Sequence, residues 1–78
     1  MAKSIIVYST PTCPWCLRLK AFFKENNVLF LDWDVSVDHV AADEMVKKSG
    51  QMGVPVTDID GEIIIGFDKE KIKTALGL

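Results

Sequence analysis

The sequence predicts an α/β domain with a four-stranded mixed sheet and helices on both faces, in the order β-α-β-α-β-β-α. Three observations lead there. A short, unbroken apolar run near the start suits a strand covered on both faces. Two stretches with apolar residues at three- and four-residue spacing flank an alternating segment, the pattern of helices around a strand. Near the end, Asp60-Gly61 separates two apolar runs, a strong hairpin signal. The 78 residues bound the chain to one domain, residues 1–78.

Ser4 to Tyr8, "SIIVY", is β-branched and aromatic and reads as a central parallel strand. "STPTCP" is a loop. From Pro14 to about Glu25 the pattern turns helical, with Cys16, Leu19, Phe22 and Phe23 on one face and Asn26 and Asn27 as C-cap residues. Val28 to Val35 is a second strand. It sets Leu29, Leu31 and Trp33 on one face, and Phe30, Asp32 and Asp34 on a wetter one. The intervening helix makes this β-α-β a right-handed crossover.

Ser36 or Asp38 opens the next helix, which carries Val40, Ala41, Met45 and Val46. Lys47 and Lys48 complement the dipole of its last turn, and Gly50 suits its C-terminus. Val54 to Ile59 and Glu62 to Ile65 form the hairpin around Asp60-Gly61. Asp68 N-caps a final helix from Lys69 to about Leu76, with Ile72, Ala75 and Leu76 inward. Its capping box is incomplete, because Lys71 stands where Glu or Gln is preferred.

Composition narrows the function. Net charge is −2 with both signs dispersed, so no basic block points to nucleic acid. The opening "MAKSIIVYS" is too short for a signal peptide or a membrane span, which predicts a cytoplasmic protein without membrane attachment. There are two cysteines, Cys13 and Cys16. A bridge between them closes too short a loop to stabilise a small core. In a reducing compartment such a pair is more often catalytic or metal-binding.

The position of the pair favours redox chemistry. Cys13 sits at a loop-to-helix junction with Pro14 at the first helical position, where its missing N–H costs nothing. The free N–H groups of the first turn point toward the Cys13 sulfur and favour the nucleophilic thiolate. Cys13 is therefore expected to be acidic and exposed. Cys16, one turn on, places its Cα roughly 5 Å away, within disulfide reach. It shares the apolar face, so it is expected to be buried and less acidic. One sulfur attacks an external disulfide and the other resolves the intermediate.

The alternatives are two inert thiols, or a metal or iron–sulfur module bridging two chains through Cys13. A zinc site needs four ligands. This chain offers two thiols and His39, which sits in another helix and reads as solvated. Trp15, beside a reactive sulfur at a helix start, reads as an exposed docking surface.

The residues together resemble a glutaredoxin, within the thioredoxin-fold superfamily, over nearly the whole chain. "YSTPTCPWC" is similar to that family's active-site strand and loop, with Trp15 where the usual motif has Tyr. "GVPV" resembles the segment that holds a cis-proline before the third strand. "IDGEIIIGFD" resembles the last hairpin and the entry to the final helix. The resemblance implies a minimal thioredoxin fold with Pro55 cis and packed against the cysteine pair. It also implies a Val54 backbone free to pair with an extended thiol peptide. In glutathione-using members a carboxylate of the ligand sits at the last helix's N-terminus. That places it here on backbone groups of Phe67 and Asp68 after Gly66, with the Asp68 side chain toward the ligand's amino group.

Three departures weaken a glutathione site. Thr10 stands where many glutaredoxins have a lysine, Gly53 where they have Thr, and Ile65-Gly66-Phe67 where they have a second glycine. "GF" also occurs in small redoxins that thioredoxin reductase reduces.

The expected function is thus thiol–disulfide exchange in electron transport and redox homeostasis, with Cys13 and Cys16 as a reversible dithiol/disulfide. Thr10, Pro14, Trp15, Val54, Pro55, Gly66, Phe67 and Asp68 are the expected substrate-binding residues. No organic cofactor or metal is required. The electron donor is glutathione or a reductase flavoenzyme, the partners are disulfide-containing proteins, and the chain is expected to be a monomer. A potential of roughly −200 to −270 mV is the corresponding range. Asp58 is out of place in a central strand. It reads as a partly exposed residue in preference to a buried acid, and the strand rise puts it ~10 Å beyond Pro55.

Overall fold

A computed structural model describes residues 4–78. The elements are β1 (Ile5–Ser9), α1 (Pro14–Glu25), β2 (Leu31–Asp34), α2 (His39–Ser49), β3 (Val56–Ile59), β4 (Glu62–Ile65) and α3 (Lys69–Leu76). The sheet order is β2-β1-β3-β4. β1 runs parallel to β2 and antiparallel to β3, and β3 and β4 form the antiparallel hairpin. The predicted element order and mixed sheet hold. The leader reading rested partly on residues 1–3, which lie outside the described residues. Among the described residues no helix is long and apolar enough to cross a membrane.

β1 is central because it has no polar face. Ile5, Val7 and Ser9 point to one side and Tyr8 to the other, all of them buried. On the first side α1 and α3 cover the sheet with Leu19, Phe22, Phe23 and Ile72, against Ile5, Val7, Ile59 and Ile64. On the second side α2 brings Ala41 and Met45 onto Tyr8 and Val56. The core is thus unequal, with two helices on one face and one on the other.

Several boundaries differ from the sequence reading. β2 begins at Leu31, not Val28. Its segment does split its side chains, with Val28 and Phe30 toward α1 and Trp33 and Val35 toward α2. Leu29 and Leu31 are exposed, because β2 is an edge strand that α2 does not cover along its full length. Val40 is exposed too, since Ala41 and Met45 turn inward. Asp38, not Ser36, caps α2 by accepting the Ala41 N–H at 3.0 Å. Gly50 ends α2 at φ 74°, a left-handed conformation that glycine adopts without steric penalty. β3 starts at Val56, so Val54 and Pro55 form an approach segment rather than part of the ladder.

Candidate functional site

The site is built where α1 begins. Pro14 occupies the first helical turn and Cys13 is the N-cap in extended conformation. The Cys13 sulfur does the work that a serine or aspartate oxygen usually does: it accepts the Cys16 N–H at 3.1 Å. Its own N–H donates to the Thr10 carbonyl at 3.4 Å, which folds the preceding loop back on itself. The sulfur is partly exposed, less open than the sequence suggested, because the Val54 carbonyl lies 3.9 Å from it. That carbonyl belongs to the Val54–Pro55 peptide group, which is cis, as the resemblance implied.

Cys16 differs sharply. It is fully buried among the residues beneath α1. Burial pushes its thiol up to about 11, and hydrogen bonding with Cys13 adds to the rise, while the Thr10 backbone and Lys20 pull the other way. Both cysteines are unbridged. The two thiols therefore share one helical turn but not one environment.

Beside Cys13 lies a groove of about 280 Å³ lined by Trp15, Val54, Pro55, Gly66 and Phe67. Five of the expected binding residues thus converge. Trp15 is 55% exposed and forms one wall. The groove continues past Trp15 and Phe67 into a larger depression of about 580 Å³ that also involves Arg18, Phe22, Glu25 and Lys69. The Arg18 guanidinium stacks 4.7 Å over the Trp15 ring, and the Lys69 ammonium lies 5.7 Å over Phe67. The other three expected binding residues sit around the groove. Thr10 closes the loop before Cys13, Pro14 is exposed, and Asp68 caps α3 through the Lys71 N–H at 3.2 Å. The carboxylate of Asp68 thus already has a backbone partner.

Two polar networks were not foreseen. On the α1 side, Lys20 donates to Asp32 at 2.8 Å and to Ser9 Oγ at 3.3 Å, and Ser9 Oγ donates to Asp32 at 2.6 Å. Burial works to raise the Asp32 carboxyl, but the hydrogen bonds from Lys20 and Ser9 outweigh it and hold the group below the usual carboxylate range. On the α2 side, Lys48 reaches Asp58 at 2.7 Å and Tyr8 Oη at 2.9 Å, and Tyr8 donates to Glu44 at 2.7 Å. Asp58 is partly exposed, as the sequence reading preferred, but it is not isolated. It is an ion-pair partner that also accepts the Gly61 N–H at 2.7 Å and so holds the hairpin turn. By sequence Lys48 complements the dipole of α2; in the structure it folds back over the sheet to Tyr8 and Asp58. Spacing carried the one available signal for Lys20, which lies four residues after Cys16 on the same helical face.

The chain matches the glutaredoxin family model over residues 5–64. It belongs to the glutaredoxin family. Among glutaredoxin relatives it is 50% identical over 68 residues to an uncharacterized glutaredoxin-like 8.6 kDa protein in the rubredoxin operon of Clostridium pasteurianum. That match covers 87% of this chain and 91% of the relative. It is 34% identical over 65 residues to glutaredoxin 3 of Escherichia coli K12, covering 83% and 78% of the two chains. In three dimensions it is similar to the thioredoxin-like protein BC3987, with a TM-score of 0.88 and 37% identity over 94% of this chain and 100% of that one. It also resembles Methanosarcina acetivorans methanoredoxin, with a TM-score of 0.88 and 26% identity over 96% and 85% of the chains. The glutaredoxin family supports a thiol–disulfide oxidoreductase role, and the fold places the cysteine pair just past the end of β1, where α1 begins.

Proposed function

We propose that this glutaredoxin reduces disulfides of protein or small-molecule substrates by cycling Cys13 and Cys16 between dithiol and disulfide. The observation that carries the reading is the asymmetry of the pair. Cys13 Sγ is partly exposed beside an apolar groove and accepts the Cys16 N–H at 3.1 Å, whereas Cys16 is fully buried one turn away. Cys13 attacks the substrate disulfide, forming a mixed disulfide and releasing one thiolate. Cys16 then attacks Cys13, closing the internal disulfide and releasing the second thiolate. A backbone N–H aimed at the sulfur and a groove that accepts an extended thiol chain both support the first step.

Trp15, Val54, Pro55, Gly66 and Phe67 bind the substrate segment in this reading. Thr10 and Pro14 flank the entry, and the Phe67 and Asp68 backbone receives a carboxylate. Electrons return to the pair from glutathione or from a flavoenzyme of the thioredoxin-reductase type, and no organic cofactor is held.

The test uses two variants. Cys13→Ser is expected to abolish reduction of a generic disulfide, and Cys16→Ser to accumulate a mixed disulfide visible by mass. Full activity in Cys13→Ser sinks the proposal. Steady-state turnover coupled either to glutathione with glutathione reductase or to thioredoxin reductase identifies the donor. A colourless, metal-free protein from fresh purification counts against a bridged iron–sulfur or zinc dimer.

A further inference from the structure

The resolving cysteine has a difficulty that the groove does not address. Burial pushes the Cys16 thiol up, to about 11 in the dithiol, yet the second step needs its thiolate. Two neighbours pull against that rise, the Thr10 backbone and Lys20, and of these Lys20 carries a charge.

Lys20 is in place to do so. It lies one turn beyond Cys16 on the sheet-facing side of α1, a spacing that brings Cβ atoms to within about 5–6 Å. A surface lysine normally extends into water. This one is folded down, its side chain 16% exposed, with its ammonium clamped by Asp32 at 2.8 Å and Ser9 Oγ at 3.3 Å. Ser9, 2% exposed, is itself fixed by its bond to Asp32 and is followed directly by Thr10, at the cysteine loop. From α1, the groups that bear on Cys16 are Cys13 and Lys20. The loop after β1 brings the Thr10 backbone, while Ser9 of β1 and Asp32 of β2, which also feels Lys24, touch Lys20 and not Cys16. α3 covers this face through apolar Ile72.

We propose that Lys20, clamped by Ser9 and Asp32, is a positioning residue for the resolving step. Its fixed ammonium supports the negative charge that Cys16 must carry to attack. The inference rests on the dithiol reading above. In the step, Cys16 Sγ loses its proton to solvent and its electron pair attacks Cys13 Sγ of the mixed disulfide. The Cys13–Cys16 bond forms, the bond from Cys13 to the substrate sulfur breaks, and the substrate leaves as a thiolate that takes up a proton. The dithiol is oxidised by two electrons, the substrate disulfide is reduced by two, and Lys20 keeps its proton throughout.

Stopped-flow reaction of the reduced protein with Ellman's reagent separates the two steps, since each releases one coloured thiolate. The first phase scales with reagent concentration and the second does not. In Lys20→Met the first phase is expected to stay within twofold of wild type. The second is expected to slow by about threefold or more at pH 7, with its pH midpoint moving up, as loss of a neighbouring positive charge requires. Lys20→Arg, which keeps the charge, is expected to stay within about threefold. Lys20→Gln reports the same shift if Lys20→Met does not fold. A second phase as fast in Lys20→Met as in wild type from pH 6 to 10, or one slowed as much in Lys20→Arg as in Lys20→Met, overturns the role of Lys20 while leaving the dithiol cycle intact. Absence of any fast first phase in wild type overturns the cycle itself.

Discussion

Tyr8 and Ser9 are neighbours in β1 and face opposite sides of the sheet, and each anchors a network centred on a lysine. On the α2 side, Lys48 bridges Tyr8 and Asp58, whose side chains lie deep: Asp58 is 13% exposed. On the α1 side, Lys20 bridges Ser9 and Asp32, and Asp32 is 43% exposed. The first network has no cysteine beside it and closes over the smaller half of the core. The second is wetter, lies one turn from Cys16, and shares its face with the larger core cluster. The same chemical device therefore serves stability on one face, and on the other it borders the reactive pair.

The core itself gives the largest contrast. Phe23 is fully buried among α1, Phe22 and Phe30, while Met45 holds α2 on the thinner face. Phe23→Ala is expected to cost about 3–5 kcal/mol and Met45→Ala about 2–3 kcal/mol. A chain of 78 residues has a total stability of roughly 4–12 kcal/mol, so the first variant should lie near global unfolding. Urea denaturation followed by tryptophan fluorescence measures both. Equal costs would show that the two faces carry equal weight.

Next comes the part-buried ion pair of Lys48 and Asp58. Lys48→Met strands the Asp58 carboxylate and takes a donor from Tyr8, at an expected cost of about 2–3 kcal/mol. This is below the usual range for a fully buried pair, because Lys48 keeps some solvent contact. The same network makes the fold sensitive to alkali. Burial works to lower Lys48, but hydrogen bonds to Asp58 and Tyr8 outweigh it and raise the ammonium above its ordinary value. Burial chiefly raises Tyr8. Groups raised in the folded state contribute stability that is complete below their unfolded values, near pH 10, and is lost as pH climbs toward the folded ones. Cys16 adds a loss of the same sign between about 9 and about 11. Melting temperature against pH should therefore fall from about pH 9 upward. Cys16→Ala should remove the earlier part of the fall and leave the part above pH 10. A wild-type curve flat from pH 8 to 11 contradicts both assignments.

These contrasts also mark what the sequence could convey. β1, α1, the hairpin and α3 were legible because each rests on local signals: an unbroken apolar run, Pro14 after Cys13, Asp60-Gly61, and Asp68 before Lys69. The burial of Cys16 followed from its place on the Leu19 and Phe23 face. What escaped were contacts between residues far apart in the chain. Lys48 and Asp58 looked like a dipole residue and an oddity, because nothing in either segment shows that α2 lies over β3. Asp32 reads as a wet strand position and Lys20 carries no sequence signal of a partner, for the same reason. The edge position of β2 was equally hidden, so the exposure of Leu31 came only with the strand order. The groove from Trp15 to Phe67 joined residues that the family resemblance had named one by one.

Helix caps are indifferent to the face on which they sit, which makes them a control. Asp38 caps α2 on the thin side and Asp68 caps α3 on the thick side, each accepting a backbone N–H three residues on. Asp38→Ala and Asp68→Ala should each cost about 1 kcal/mol. A large inequality would mean that one carboxylate has a second role, and for Asp68 a loss of substrate affinity in the same variant would identify it.

The smallest expected effect tests the wet network. Asp32 is too exposed for its ion pair to contribute as Lys48–Asp58 does, because solvent screens the attraction to Lys20. Asp32→Asn should cost only about 0.5–1 kcal/mol at pH 7. The sign of its pH dependence is opposite to that of the α2 side. The Asp32 carboxyl is held below its ordinary value despite burial, so its contribution is complete above that value, near pH 4, and is lost as pH falls through the lower folded one. The gap between wild type and Asp32→Asn should therefore close in acid and also narrow in high salt, where exposed charges are screened. The cost of Lys48→Met should persist in the same salt. If salt instead erases the Lys48→Met cost and spares that of Asp32→Asn, the two faces have been assigned the wrong way round.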